Sequence, residues 1–408
     1  MTQNPQAPLR PVMYLLGPAF VASIAYVDPG NVAANVSAGA QFGFLLLWVI
    51  VVANVMAGLV QYLSAKLGLV TGRNLPEAVA DHTRKPTRIA YWLQAELVAM
   101  ATDLAEVVGG AIALNLLFQL PLLVGGIITG VVSILLLVIQ DRRGQRMFER
   151  VITGLLLVIA IGFLTSLFVD PPSPAEVATG LIPRFDGAES VLLATAMLGA
   201  TVMPHAVYLH SGLARDRHGH PDIGPRRKSL LRATRIDVTL AMLVAGAVNL
   251  SMLLIAATHL QGRDDTNSIE GAFGAVRETL GPTIALFFAI GLLASGLAST
   301  SVGAYAGAMI MQGLLRVSIP ILIRRVVTLI PALVILGVGF DPSRALVLSQ
   351  VVLSFGIPFA LIPLVRLTSD TTLMGKDANH RVTSALGWVV AAVITLLNVV
   401  LIYLTVTG

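Results

Sequence analysis

Eleven stretches of this chain are apolar for long enough to cross a lipid bilayer, and no soluble fold can hide that many. They run at about 12–40, 43–69, 89–118, 121–140, 150–169, 190–214, 236–259, 280–312, 319–340, 346–367 and 384–406. A helix needs roughly 20 apolar residues to span a hydrocarbon core of ~30 Å, and each stretch meets that length. The runs are nearly continuous rather than alternating, which reads as helices and not as a transmembrane barrel. Charged residues are 12% of the 408, about half the ~25% of a soluble domain. The expected fold is an all-α membrane protein with eleven transmembrane helices, a single domain over residues 1–408. The longest run, 280–312, is expected to include a loop helix or to cross at a strong tilt.

The basic residues set a direction. With the N-terminus in the cytoplasm, the inside segments hold 23 of the 27 Lys and Arg, and only Arg184, Arg263, Arg277 and Arg344 fall outside. Cytoplasmic loops carry such an excess, so the N-terminus is expected inside and, after eleven crossings, the C-terminus outside. The net charge of +5 lies in these loops and is no signal for nucleic acid. There are no cysteines, which excludes disulfides and thiolate metal ligands. The first run contains Asp28 and lacks a small-residue cleavage pattern, so no cleavable secretory signal is read there. No HExxH, G-x-S-x-G or Walker-type glycine loop occurs, so an intramembrane enzyme and an ATP-driven pump are both disfavoured, and no cofactor is expected.

Two runs are interrupted where burial is most expensive. The first carries "AYVDPGNVAA" at 25–34 and the sixth carries "GATVMPHAVYLH" at 199–210. Five spans separate them. An odd number of crossings gives two units of opposite topology, and paired interruptions at corresponding positions point to an inverted-repeat transporter with its site at the breaks. Spans 1–5, about 12–169, and 6–10, about 190–367, form the repeats, and span 11, about 384–406, is an appendage. Pro29 and Pro204 lack an N–H, and Gly30 permits unusual backbone angles. Carbonyls freed just before each proline, over Ala25 to Asp28 and Ala200 to Met203, become available to a cation.

The side chains at the breaks form a mixed donor set. Asp28 offers an anionic oxygen, Asn31 a neutral oxygen, Met203 a thioether and Ala200 a carbonyl. Ca²⁺ and Mg²⁺ take oxygens alone, whereas thioethers favour softer transition ions, and structural zinc would use more His or Cys. A mobile first-row dication fits this set. Each residue also has a plainer reading. Met203 can be gap filler in a core, Asp28 a structural ion pair or cap, and Asn31 the cap of the second half-helix. A carboxylate at mid-bilayer costs ~2.5–3.5 kcal/mol on insertion scales, which weighs against a purely structural Asp28.

Span three, "QAELVAMATDLAEVV" at 94–108, places Glu96, Asp103 and Glu106 on one face of a helix. Carboxyl groups in apolar surroundings ionise reluctantly, and acids inside a membrane mark proton relays; pairing with inward-facing arginines is the plainer reading. His205, two residues past Met203, is placed to pass a proton from the metal site toward Asp103, the plainer reading being a structural histidine. His210 faces elsewhere. Asp237 is expected to pair with the neighbouring Arg232 and Arg235. A dication reaching Asp28 would displace its proton, which would leave by way of His205 and Asp103 and move inward with the metal.

"DPGN" at 28–31 and "MPH" at 203–205, together with the span count and the acids of span three, resemble the signature of the Nramp family, the natural resistance-associated macrophage proteins that include bacterial MntH-type manganese transporters. The likeness covers nearly the whole chain. It implies a LeuT-type inverted-repeat fold, a bacterial inner (cell) membrane, and proton-coupled import of Mn²⁺, Fe²⁺ and related dications. Residue by residue it implies metal binding by Asp28, Asn31 and Met203, with the carbonyls of Ala200 and Ala25 and with Gln350 of span ten joining in some conformations. It also implies that Arg324 and Arg325, at the start of span nine, partner the acidic pathway; from the residues alone they are equally ordinary positive-inside arginines. Two alternatives stay open: a carrier of the same architecture for amino acids or another cation, which Asp28 and Met203 disfavour, and a metal-conducting channel.

Overall fold

The architecture was obtained as a computed structural model, which describes residues 15–143, 145–221, 223–263 and 268–407. The expected start of span one at 12–14 lies outside the described residues. In chain order the helices are α1 (Pro18–Ser23), α2 (Pro29–Phe42), α3 (Leu47–Thr71), α4 (Leu75–Asp81), α5 (Lys85–Phe118), α6 (Leu122–Arg143), α7 (Gln145–Val169), α8 (Pro174–Gly180), α9 (Gly187–Thr201), α10 (Pro204–His218), α11 (Pro225–His259), α12 (Ile269–Thr279), α13 (Pro282–Leu315), α14 (Ile321–Gly337), α15 (Pro342–Ser369), α16 (Thr371–Met374) and α17 (Arg381–Thr407). Among the described residues eight helical segments are long and apolar enough to cross a membrane. The α1–α2 pair, α6 and α14 fill the positions of the other three expected spans.

Spans one and six are the divided ones. α1 gives way to a 3-10 turn over Ile24–Tyr26, and the chain leaves helical geometry at Val27 before α2 begins. α9 ends at Thr201 and α10 begins at Pro204. Each second half-helix has its proline in the first turn, where a missing N–H costs nothing because that position has no intrahelical acceptor. Of the two expectations for the long run at 280–312, an included loop helix does not occur. The run is one continuous helix, α13, and the loop helix α12 precedes it instead of interrupting it. Gly281, with φ 92°, makes the corner between them.

The two five-span units are related by an exchange of neighbours. When spans one to five are swapped with spans six to ten, the packing of α2 on α11 becomes that of α10 on α3. In the same way α7 on α13 becomes α15 on α5, and α6 on α13 becomes α14 on α5. The pairs α3–α11 and α5–α13 map onto themselves, so they lie around the local two-fold relation. α17 stands apart, against α15 and α9. In span six 94% of the most apolar window is buried within the protein, against 33% for α17; the divided span is central and the appendage peripheral.

Glycine permits the closest of these contacts. A Cβ on Gly199, in the last turns of α9, would overlap the backbone carbonyl oxygen of Gln350 in α15. Gly199→Ala must therefore part α9 from α15, and overpacking of this kind costs about 1–3 kcal/mol. A lower thermal midpoint is expected, because α9 and α15 are forced apart. An unchanged midpoint in a detergent thermal-shift assay would show that the helices yield freely there.

Asp237 does not pair with Arg232 or Arg235. Its carboxylate is buried and accepts hydrogen bonds from the backbone N–H groups of Gly17, 3.1 Å, and Ala19, 2.9 Å. It thereby caps the start of α1 from α11. The reason lies in the helix N-terminus, whose unpaired N–H groups are better partners for a buried carboxylate than arginines that reach solvent.

Candidate metal site

The two breaks meet. Asp28 is the N-cap of α2, and its Oδ1 accepts from the Asn31 backbone N–H at 2.8 Å and from Asn31 Nδ2 at 2.7 Å. The cap is thus Asp28 and not Asn31. Asn31 Nδ2 also donates across the junction to the carbonyl oxygen of Ala200, 3.0 Å away. Asn31 Oδ1 receives Thr201 Oγ1 at 3.4 Å. Met203, the N-cap residue of α10, is wholly buried at the second break. From α15, Gln350 Nε2 reaches Asp28 Oδ2 at 3.5 Å, while Gln350 Oε1 is buried without a partner. Gln350 can lie here because residue 30 is glycine: a Cβ would overlap the Gln350 amide. Asp28, Asn31, Gln350 and Met203 are all fully withdrawn from solvent.

The freed carbonyls divide into two kinds. That of Tyr26 accepts from Asn249 Nδ2 at 2.8 Å and that of Val27 from Ser295 Oγ at 2.6 Å. These two are engaged and are not open donors as the sequence suggested. The carbonyl of Ala25 takes no hydrogen bond from the described residues. Side-chain partners from other spans are the general way in which an unwound membrane helix is tolerated. Asn249, Ser295 and Thr201 were missed in the sequence. Their signal was slight: a lone amide in the apolar run of span seven, one serine in the small-residue stretch "ASGLASTS", and a threonine two residues before Met203.

The acids of span three line up along α5 as expected. Arg325 and Asp103 form a buried ion pair, Nη1 to Oδ1 2.5 Å, with side chains 0% and 3% exposed. Arg325 also bonds Thr300 Oγ1 of α13. Arg324 Nη2 pairs with Glu96 Oε1 at 2.8 Å, and that glutamate is partly open. Both arginines of α14 are therefore partners of the acids rather than loop charges. Glu106 is fully buried with neither oxygen hydrogen-bonded, and Asp103 and Arg325 are among its ionisable neighbours. His205 is buried in the first turn of α10, its Nδ1 3.3 Å from Thr102 Oγ1 and its Nε2 without a partner. Thr102 adjoins Asp103 in sequence, so His205 comes near the Arg325–Asp103 ion pair through a hydroxyl. His210 points away from His205, to Gln61 Oε1 at 2.6 Å. Gln61 in turn bonds the Tyr26 hydroxyl, so His210 is tied back to the first break through α3.

No group of three or more His, Cys, Asp or Glu that could hold a metal occurs among the described residues. A site for a dication here must draw on amides, carbonyls and the thioether, as the breaks do.

The sequence profile of the family described as natural resistance-associated macrophage protein-like matches residues 19–404. A divalent metal cation transporter, MntH, of Mycobacterium tuberculosis strain H37Rv is 72% identical over 408 residues, covering 100% of this chain and 95% of that protein. The crystal structure of a manganese transporter of Eremococcus coleocola, in complex with an aromatic bis-isothiourea compound, superposes with a TM-score of 0.85 at 31% identity, over 95% of this chain and 86% of that one. The nucleobase-cation-symport-1 transporter Mhp1 superposes at 0.62 with 17% identity over 99% of this chain and 95% of that one, a likeness of fold alone.

Proposed function

The chain belongs to the Nramp family, and from that premise we propose that it imports divalent transition-metal cations such as Mn²⁺ and Fe²⁺ together with protons. The observation that carries the reading is the meeting of the two breaks, where hydrogen bonds join Asp28, Asn31, the Ala200 carbonyl and Gln350, with Met203 buried at the second break. One anion, two amides, carbonyls and a thioether suit a borderline-soft dication held loosely. Asn31 Nδ2 bridges the oxygens of Asp28 and Ala200, 2.7 and 3.0 Å away. A cation would take both oxygens, and the Asn31 amide would turn to present Oδ1, an exchange open to a group that both donates and accepts. Ala25 would add its carbonyl. Orientation follows the basic loops, with the N-terminus in the cytoplasm of a bacterial cell and the C-terminus outside. Alternating access is supported by two divided helices in inverted repeats. Inward movement of positive charge then gains about 2.3 kcal/mol per charge per 100 mV.

The proton route proposed runs from Asp28 past His205 to Asp103 and Glu106, with Arg325, Arg324 and Glu96 at its inner end. Arg325 pairs with Asp103, His205 reaches the neighbouring Thr102, and Glu106 has no hydrogen-bond partner among the described residues.

The reading is tested in proteoliposomes. Met203→Ala removes the only soft donor of the set, so discrimination of Mn²⁺ and Cd²⁺ against Ca²⁺ and Mg²⁺ should shrink by about tenfold or more, the effect of a single well-placed ligand interaction of ~1.4 kcal/mol. Unchanged selectivity would remove the thioether from the site. Asp103→Asn should keep metal binding and lower metal-driven acidification of the lumen. Loss of all metal binding in that variant would argue against a proton route separate from the metal site.

A further inference from the structure

At the basic-loop end of the protein a cleft of about 530 Å³ opens between the start of α1, the first turns of α7 and the last turn of α10. Arg146, Arg150 and Arg217 line it, with Glu149 between them and Leu16 and Phe20 as an apolar wall. Arg217 Nε lies 3.3 Å from Glu149 Oε2, and both side chains are largely withdrawn from solvent. Arg146 and Arg150 are exposed and form no ion pair among the described residues. The further charges near the cleft are His218 and Arg226, close to Arg146 and Arg217, and Asp237, whose carboxylate is engaged by the backbone of α1. Among the described residues three arginines and one carboxylate line the cleft, so positive charge is in excess there.

Beyond the cleft, α7 presents an exposed apolar face. Arg150, Gly154, Leu157 and Ile161 follow one another along a single helical stripe. Nothing lies within 4 Å of the place a Gly154 side chain would occupy, and Leu157 and Ile161 are exposed. Below the arginines this face of α7 is open, with no side chain at Gly154. Topology alone explains arginines in a cytoplasmic loop; it does not explain their convergence from two helices on one cleft.

We propose that this cleft binds the phosphodiester headgroup of an anionic phospholipid of the cytoplasmic leaflet, with an acyl chain along the exposed Gly154–Ile161 face of α7. The assignment rests on the sidedness given under the proposed function. Guanidinium groups match phosphate oxygens with paired N–H donors, and basic pockets between helices at the cytoplasmic surface take lipid headgroups. The bound lipid would bridge α7 to the end of α10 beside Gly17, at the start of the first half-helix, and would favour the packed position of α1.

The test compares the purified parent with Arg146→Gln/Arg150→Gln, neither of which touches the metal site or the acids of α5. Each protein, stripped of lipid in detergent, is offered phosphatidylglycerol or phosphatidylcholine, and retained lipid is counted by native mass spectrometry. The parent should keep one phosphatidylglycerol against excess phosphatidylcholine, and the double variant should hold it about thirtyfold more weakly, the effect of two near-surface arginines. Gly154→Phe, which puts a ring in the path of the acyl chain and alters no charge, should weaken retention too. Glycerol 3-phosphate should not displace the lipid. Equal retention by parent and double variant, or equal retention of both lipids by the parent, would overturn the site. Displacement by glycerol 3-phosphate would assign the cleft to a free phosphate ester and overturn the lipid, as would full retention by Gly154→Phe. Mn²⁺ binding should be the same in all three proteins; its absence from the parent would count against the transport reading and leave the lipid result standing.

Discussion

Asp28→Asn is expected to lower metal affinity by about a hundredfold or more while the protein remains folded. Asparagine is as good an N-cap as aspartate, so the bonds from the Asn31 backbone to position 28 can persist and α2 can still start there. What is lost is the one formal negative charge among the donors at the two breaks. Leaving a buried charge without its partner costs roughly 3–5 kcal/mol, and here the unpartnered charge would be the incoming dication. Titration of the purified variant with Mn²⁺ or Cd²⁺ measures the loss, and a thermal midpoint near the parent's shows that the fold is kept. Affinity within threefold of the parent would remove Asp28 from the metal site.

The second large effect is expected at the ion pair between α14 and α5. Arg325→Met leaves Asp103 buried with no counter-charge, at the same cost of about 3–5 kcal/mol. Arg325→Met/Asp103→Asn removes both charges and should recover most of that loss, since a buried pair replaced as a pair is often close to neutral. The thermal midpoints should therefore rank parent and double variant together, with the single variant well below. A single variant as stable as the parent would mean that Asp103 finds a proton or another partner without strain. Proton transport separates the two roles of the pair: the double variant, though stable, should still fail to couple.

Most of the fold was legible because the bilayer imposes it. A span must be long and apolar whatever it packs against, so α3, α5, α11, α15 and α17 fall where the apolar runs do, and the breaks at Asp28 and Met203 declare themselves as polar and proline interruptions. Partnerships between spans were harder to read. Asp237 stands beside two arginines in sequence yet serves the backbone of α1, because helix packing brings an unpaired helix end to it. The engagement of the Tyr26 and Val27 carbonyls depends on Asn249 and Ser295, more than 200 residues away in the chain. Nothing local distinguishes those residues from other polar side chains in apolar runs. The link from His210 through Gln61 to Tyr26 has the same character, since it exists only where α10 lies on α3. Donor types can be read from a sequence; who donates to whom follows from which faces meet.

The amides of Asn31 and Gln350 turned toward Asp28 have a consequence for the return half of a transport cycle. A carrier that has delivered its cargo must swing back, and a bare carboxylate deep in the membrane would be the main obstacle to that journey. Here N–H groups of Asn31 and Gln350 stand 2.7 and 3.5 Å from the Asp28 oxygens, on residues of the same cluster. In the proposed cycle the carboxyl group would therefore make the homeward trip solvated by amide N–H groups instead of bare; they leave its formal charge in place, and the proton that the metal had displaced would cancel it.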